Sequence, residues 1–141
     1  TPERDDVDGD DWLDGGAGED LLYGNTRNDT LVGGDGDDLA RGGLDGDRLY
    51  GSAGYDLLYG EQGNDWICGG ADDDTIVGGT GDPANPDIGN DTLHGGEHDD
   101  ILIGNEGWGT ISSKGATVAI ACSVIWVTIP WSVVRVAITL S

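Results

Sequence analysis

The sequence predicts an all-β fold, a solenoid of short strands wound into two parallel sheets. Three observations point there. A unit of nine residues recurs along most of the chain; aspartate fills its sixth position; and its eighth position is apolar, with glycine opening nearly every unit.

Cut every nine residues from Gly15, the chain reads GGAGEDLLY, GNTRNDTLV, GGDGDDLAR, GGLDGDRLY, GSAGYDLLY, GEQGNDWIC and GGADDDTIV. An imperfect unit, DVDGDDWLD, precedes them at 6–14, and GGEHDDILI follows from Gly95. The sixth positions are Asp11, Asp20, Asp29, Asp38, Asp47, Asp56, Asp65, Asp74, Asp91 and Asp100. The eighth are Leu13, Leu22, Leu31, Ala40, Leu49, Leu58, Ile67, Ile76, Leu93 and Leu102. Each unit therefore divides into six polar residues that turn the chain and three extended residues whose middle side chain points inward. Two units complete one coil, and coils stack at about 4.8 Å. Between Gly78 and His94 one unit is eight residues longer than its neighbours. Its Pro83 and Pro86 cannot donate to a ladder, so the extra residues are expected as an exposed loop near 82–89.

Composition alone would suggest disorder: 27 glycines, 28 acidic residues against 6 basic, a formal charge of −22, no phenylalanine and no methionine. A fixed period argues against that. The charge balance argues against nucleic acid, whose phosphates require basic partners, and against anionic membrane surfaces. The start, TPERDDVDGDD, has no apolar stretch and no methionine, so the chain reads as a fragment or a processed piece. Cys68 and Cys122 have no metal-type spacing, and the sequence does not require a disulfide between them.

One apolar side chain per nine residues is too thin a core to offset the ordering of so much glycine. Stacking also places like charges together, Asp38 beneath Asp56 for example. A divalent cation between adjacent turns answers both difficulties. Calcium prefers six to eight oxygens at about 2.3–2.6 Å, and aspartate carboxylates with glycine-turn carbonyls supply them.

The units match G-G-x-G-x-D-x-U-x, and over roughly residues 6–111 the chain resembles the RTX (hemolysin-type calcium-binding) nonapeptide repeat family. The resemblance implies a parallel β-roll, several calcium ions (about eight), extracellular location, and calcium-triggered folding after export by a type I secretion apparatus. By position it makes the sixth-position aspartates the side-chain ligands. The main-chain ligands it implies come from the opening residues of the turns: Gly15, Gly33, Asp35, Gly51 and Gly69. About eight ions would bring roughly +16 against the acidic charge, which suits folding linked to binding. The fourth position, usually glycine, holds Arg27, Asp45, Asp72 and His98. The turns at 24–29 and 95–100 are therefore expected to hold an ion weakly or not at all.

Residues 112–141 are a different composition. GATVAIACSVIWVTIPWSVV has no charge in twenty residues, but β-branched side chains and Pro130 argue against a membrane helix. The period of nine persists in Val118, Val127 and Val136, and in Ile120, Ile129 and Ile138. Valine codons read one base early become glycine when a G precedes them, and isoleucine codons become aspartate. The tail is thus either a native apolar cap or repeat DNA translated out of frame, the shift falling near 105–109; in the second case Trp126 and Trp131 form no binding site. A type I export signal belongs at the extreme C-terminus, and the resemblance supports none in this tail.

The remaining candidates are weaker. His94, Glu97 and His98 raise a transition-metal site, against which they read as surface residues of a turn. Trp12 and Trp66 sit at the outward seventh position; single exposed aromatics are ordinary, and a sugar platform needs more. Asp37 and Asp38 belong to the calcium register, not to an acid–base pair, and no nucleophile motif is present. No enzyme is expected. The leading expectation is a calcium-folded structural and secretion-assisting module. The alternatives are the C-terminal repeats of a larger secreted enzyme or toxin (protease, lipase, epimerase or cytolysin), or a calcium-stiffened adhesin spacer.

Overall fold

A computed structural model describes residues 9–80 and 89–104, with the backbone of strands at 4–5, 110–112, 117–120 and 135–138. The strands are β1 (Arg4–Asp5), β2 (Trp12–Ala17), β3 (Leu21–Thr26), β4 (Thr30–Asp35), β5 (Leu39–Leu44), β6 (Arg48–Ala53) and β7 (Leu57–Gln62). They continue with β8 (Trp66–Ala71), β9 (Thr75–Gly79), β10 (Thr92–Gly96), β11 (Ile101–Ile103), β12 (Thr110–Ser112), β13 (Thr117–Ile120) and β14 (Arg135–Ile138). Successive strands alternate between two sheets, eight strands in the order β1-β3-β5-β7-β9-β11-β13-β14 and six in the order β12-β10-β8-β6-β4-β2. The pairings are parallel, and the described residues contain no helix. This is the parallel β-roll expected from the repeat.

The register follows from the period. Leu22 pairs with Ala40, Ala40 with Leu58 and Leu58 with Ile76, a step of two units each time. The eighth-position residues from Leu13 to Leu102 form one buried cluster between the sheets. Trp66 pairs with Thr92, a step longer by the eight extra residues, and normal stacking resumes beyond. The ladder thus tolerates the insertion; residues 81–88, which hold Pro83 and Pro86, lie outside the described residues. Thr117–Ile120 pairs with Arg135–Ile138 in the two-unit register. Of the 112–141 tail only the backbone of its strands is described; Cys122, Trp126 and Trp131 lie outside the described residues. Cys68 is a free, half-buried thiol.

One expectation is corrected. The strands are mostly six residues long, not three. Pairing runs through the first three polar positions, as in Gly16 with Gly34 and Ala17 with Asp35. The turn proper is only the next three residues, and the main chain of the polar half joins the ladder because its N–H and C=O groups need partners.

Candidate metal sites in the turns

The turns stack into two columns. Asp11, Asp29, Asp47, Asp65 and Asp91 lead from the eight-stranded sheet into the six-stranded one, and Asp20, Asp38, Asp56, Asp74 and Asp100 lead back. Apart from the half-buried Asp11, each is at most 8% exposed. A polar side chain buried so fully needs partners. One carboxylate oxygen has one. Asp38 N–H donates to Asp56 Oδ1 at 2.9 Å and Asp56 N–H to Asp74 Oδ1 at 2.9 Å. In the other column Asp29 N–H donates to Asp47 Oδ1 and Asp47 N–H to Asp65 Oδ1, both at 2.8 Å. The insertion does not interrupt this ladder, because Asp65 N–H reaches Asp91 Oδ1 and Asp74 N–H reaches Asp100 Oδ1, each at 3.0 Å.

The second oxygen is the informative one. Oδ2 of Asp11, Asp20, Asp38, Asp47, Asp56 and Asp74 is buried without a hydrogen-bond partner among the described residues. Where these oxygens point is shown by the glycines that open the units. A Cβ on Gly15 would stand 2.9 Å from Asp20 Oδ2 and 2.6 Å from the Gly33 carbonyl oxygen of the next coil. At Gly33 and Gly51 it would meet Asp38 Oδ2 and Asp56 Oδ2, together with the carbonyl oxygens of Gly51 and Gly69 at 2.8 and 2.6 Å. Only glycine leaves that space open. Acceptor oxygens from two coils, a carboxylate Oδ2 and a glycine carbonyl, therefore face one small volume.

The electrostatics agree. Burial pushes Asp47 and Asp74 up to about 7 and Asp56 up to about 6 from an ordinary 3.8, and it raises Asp38 as well. The main-chain hydrogen bond from the preceding coil pulls the other way, and neighbouring carboxylates push further up. A buried column of carboxylates is unfavourable until protons or a cation neutralise it. All-oxygen donors of this kind suit a hard divalent ion. Among the described residues no three His, Cys, Asp or Glu side chains gather into a metal cluster. The donors at the turns are instead one carboxylate per coil plus main-chain carbonyls.

Comparison with known proteins agrees with this geometry. The family model of the RTX calcium-binding nonapeptide repeat (4 copies) matches residues 6–40, 23–58, 41–76, 56–82 and 87–111. The chain belongs to the RTX calcium-binding repeat family. No curated protein matches it. The buried oxygens, the spaces guarded by glycine and the oxygen-only donor set fit the calcium ion that RTX repeats bind. The ligands would be the sixth-position carboxylates and the unit-opening carbonyls, and the ion would supply the positive charge that lets the column stack.

The expected ligand set is placed unevenly by the RTX roll. The sixth-position aspartates stack in two columns, and the carbonyls of Gly33, Gly51 and Gly69 face the spaces in one of them. Gly15 lines a space shared by Asp20 and Gly33. The Asp35 carbonyl accepts Gly18 N–H at 2.7 Å and keeps a second lone pair. The opposite column adds Gly60 and Gly78, whose carbonyl oxygens face the spaces above Gly42 and Gly60. Those two were legible from their place in the repeat. Arg27, Asp45, Asp72 and His98 adopt φ of 75–79°, in the left-handed region that fourth-position glycines also occupy. Asn25 and Glu61 (φ 75°) and Ser52 (φ 93°) also have positive φ, at the second position, where the repeat again prefers glycine.

Two surface assignments are corrected. His94 lies in β10, not in a turn, and its ring stands 5.4 Å from Trp66, which in turn lies 5.0 Å from Tyr50. Trp66 is therefore half-buried in a row of rings and is not a single exposed aromatic, whereas Trp12 is 71% exposed. Residues from three successive coils meet there because the two-unit step brings them side by side. His98 is in a turn, where its Nδ1 accepts Asp72 N–H at 3.2 Å.

Proposed function

We propose that this chain is a calcium-folded structural module of a secreted protein, exported unfolded through a type I apparatus and ordered by about eight ions outside the cell. The observation that supports this most is the set of buried Oδ2 atoms aimed, with the glycine carbonyls, at spaces between coils. Each ion would bind the stacked coils and not the open chain, so its binding free energy becomes folding free energy. The module does no chemistry of its own; it serves a larger secreted enzyme or toxin as its C-terminal repeats, or an adhesin as a stiffened spacer. The test is far-UV circular dichroism of the ion-free chain, titrated with calcium and, separately, with magnesium. A cooperative coil-to-β transition with calcium alone is expected. A chain that stays disordered through millimolar calcium, or that is already β when ion-free at neutral pH, would overturn the proposal.

A further inference from the structure

The two outer faces of the roll differ because alternate nonapeptides differ. In the units that feed the eight-stranded sheet, the seventh positions are Leu21, Leu39, Leu57, Thr75 and Ile101, stacked in register. Two residues before them, on the same rim, stand the exposed carboxylates of Glu19, Asp37, Asp73 and Asp99. Tyr55 is the one neutral member of that column. The units that feed the six-stranded sheet carry Trp12, Thr30, Arg48, Trp66 and Thr92 at the seventh position. Their rim is Asp10, Asn28, Gly46, Asn64 and Asn90, almost without charge. Neither the core nor the ion sites require this alternation. The core uses position eight, and the ion sites use position six and the main chain. An apolar stripe beside an acidic one, repeated coil after coil on one face only, is the chemistry of a contact surface.

The charge and dimensions point to an occupant. Asp37 Oδ1 accepts Tyr55 N–H at 3.0 Å and Asp73 Oδ1 accepts Asp99 N–H at 2.9 Å, so these two rim carboxylates are held in place. Arg41, the cation in the neighbouring column of this face, is engaged with Glu61 at 3.1 Å and lies over the Tyr59 ring. From Leu21 to Ile101 is four coil steps, about 19 Å at roughly 4.8 Å each. That length matches about 13 residues of α-helix at 1.5 Å per residue. A second copy would set one acidic rim against another, and an anionic bilayer would set it against phosphates.

We propose that the outer face of the eight-stranded sheet docks an amphipathic helix with leucine-like residues on one side and lysine or arginine along its flank. This goes beyond calcium-linked folding but needs the folded roll.

The probe is a synthetic 14-residue leucine–lysine amphipathic peptide carrying a fluorophore, titrated by anisotropy against the full chain in calcium. Its control is a scrambled peptide of the same composition. The ordered peptide is expected to bind at least ten-fold more tightly than the scrambled one. Leu39→Gln with Leu57→Gln is expected to remove at least ten-fold in affinity, while Val32→Gln on the opposite face stays within two-fold. Equal binding of the two peptides would overturn the proposal, because charge alone would then suffice. So would equal losses from the two faces, displacement of the peptide by phosphatidylglycerol vesicles, or self-association of the parent chain that the double substitution abolishes. Circular dichroism on each sample separates a chain that fails to fold with calcium from one that folds and does not bind. If the substitutions themselves prevent folding, the comparison of ordered with scrambled peptide on the parent chain still decides.

Discussion

Gly51→Ala separates the space a glycine leaves from the backbone shape a glycine permits. Gly51 is not among the left-handed glycines, so alanine is conformationally acceptable there. The new methyl, however, would meet Asp56 Oδ2 and stand 2.6 Å from the Gly69 carbonyl oxygen. Overpacking of this kind costs about 1–3 kcal/mol. The methyl also fills the volume between coils where an ion is expected. Extracellular calcium modules bind with Kd of roughly 10⁻⁴–10⁻³ M, so losing one site at about 10 mM calcium removes a further 1.4–2.7 kcal/mol. Spread over about seven remaining ions, the combined loss of roughly 2.5–5.5 kcal/mol raises the calcium midpoint about two- to four-fold. The companion is Gly18→Ala, where φ is 105° and nothing lies within 4 Å of the added Cβ. There only backbone strain of about 1–2 kcal/mol applies, which moves the midpoint at most about 1.5-fold. Far-UV circular dichroism gives the midpoints, and equilibrium dialysis counts the bound ions. Gly51→Ala should bind about one ion fewer than the parent, and Gly18→Ala as many. If Gly51→Ala binds as many ions at an unchanged midpoint, or if Gly18→Ala is as damaging, the placement of the ions between coils is wrong.

Acid should partly replace calcium. Asp47 and Asp74 are held up to about 7 and Asp56 up to about 6 in the roll, against 3.8 in the open chain. The ion-free roll therefore binds more protons than the unfolded chain between roughly pH 4 and 7, and its stability rises as pH falls through that window. Protons on the roll do part of the ion's work, so less calcium should be needed to fold the chain, and the calcium midpoint should fall over the same fall in pH. Ion-free circular dichroism at pH 5 should show more β-structure than at pH 7.5, and identical spectra with a pH-independent midpoint would contradict the proton count. Arg27→Gly should strengthen its turn, because it removes a left-handed φ of 79° from a non-glycine residue together with a cation beside a cation site. Equilibrium dialysis of that variant should find about one more ion at saturation; an unchanged count would show that the arginine never weakened the turn.

The period of nine determined most of the architecture from the sequence alone: which residues form the core, which carboxylates share a column, and that two units make a coil. It could do so because every coil repeats the same local problem, and position in the unit stands in for position in space. The insertion after Gly78 was legible for the same reason, since adding residues within a turn leaves the stacking of Trp66 on Thr92 in register. What only the tertiary structure decided depends on atoms from adjacent coils. Pairing of successive coils extended the strands through polar residues such as Gly16 and Ala17, which no local propensity would have assigned. Stacking separated the two oxygens of Asp38, Asp47, Asp56 and Asp74, giving Oδ1 a main-chain partner and turning Oδ2 toward glycine carbonyls. It also gathered Tyr50, Trp66 and His94 from three coils into one row of rings. The contrast at the seventh position, Leu21, Leu39 and Leu57 in alternate units against Trp12, Thr30 and Arg48 in the others, was visible in the letters all along. It became two different faces only once the coil had assigned alternate units to opposite sheets, because a side chain's neighbours lie two units away and not along its own strand.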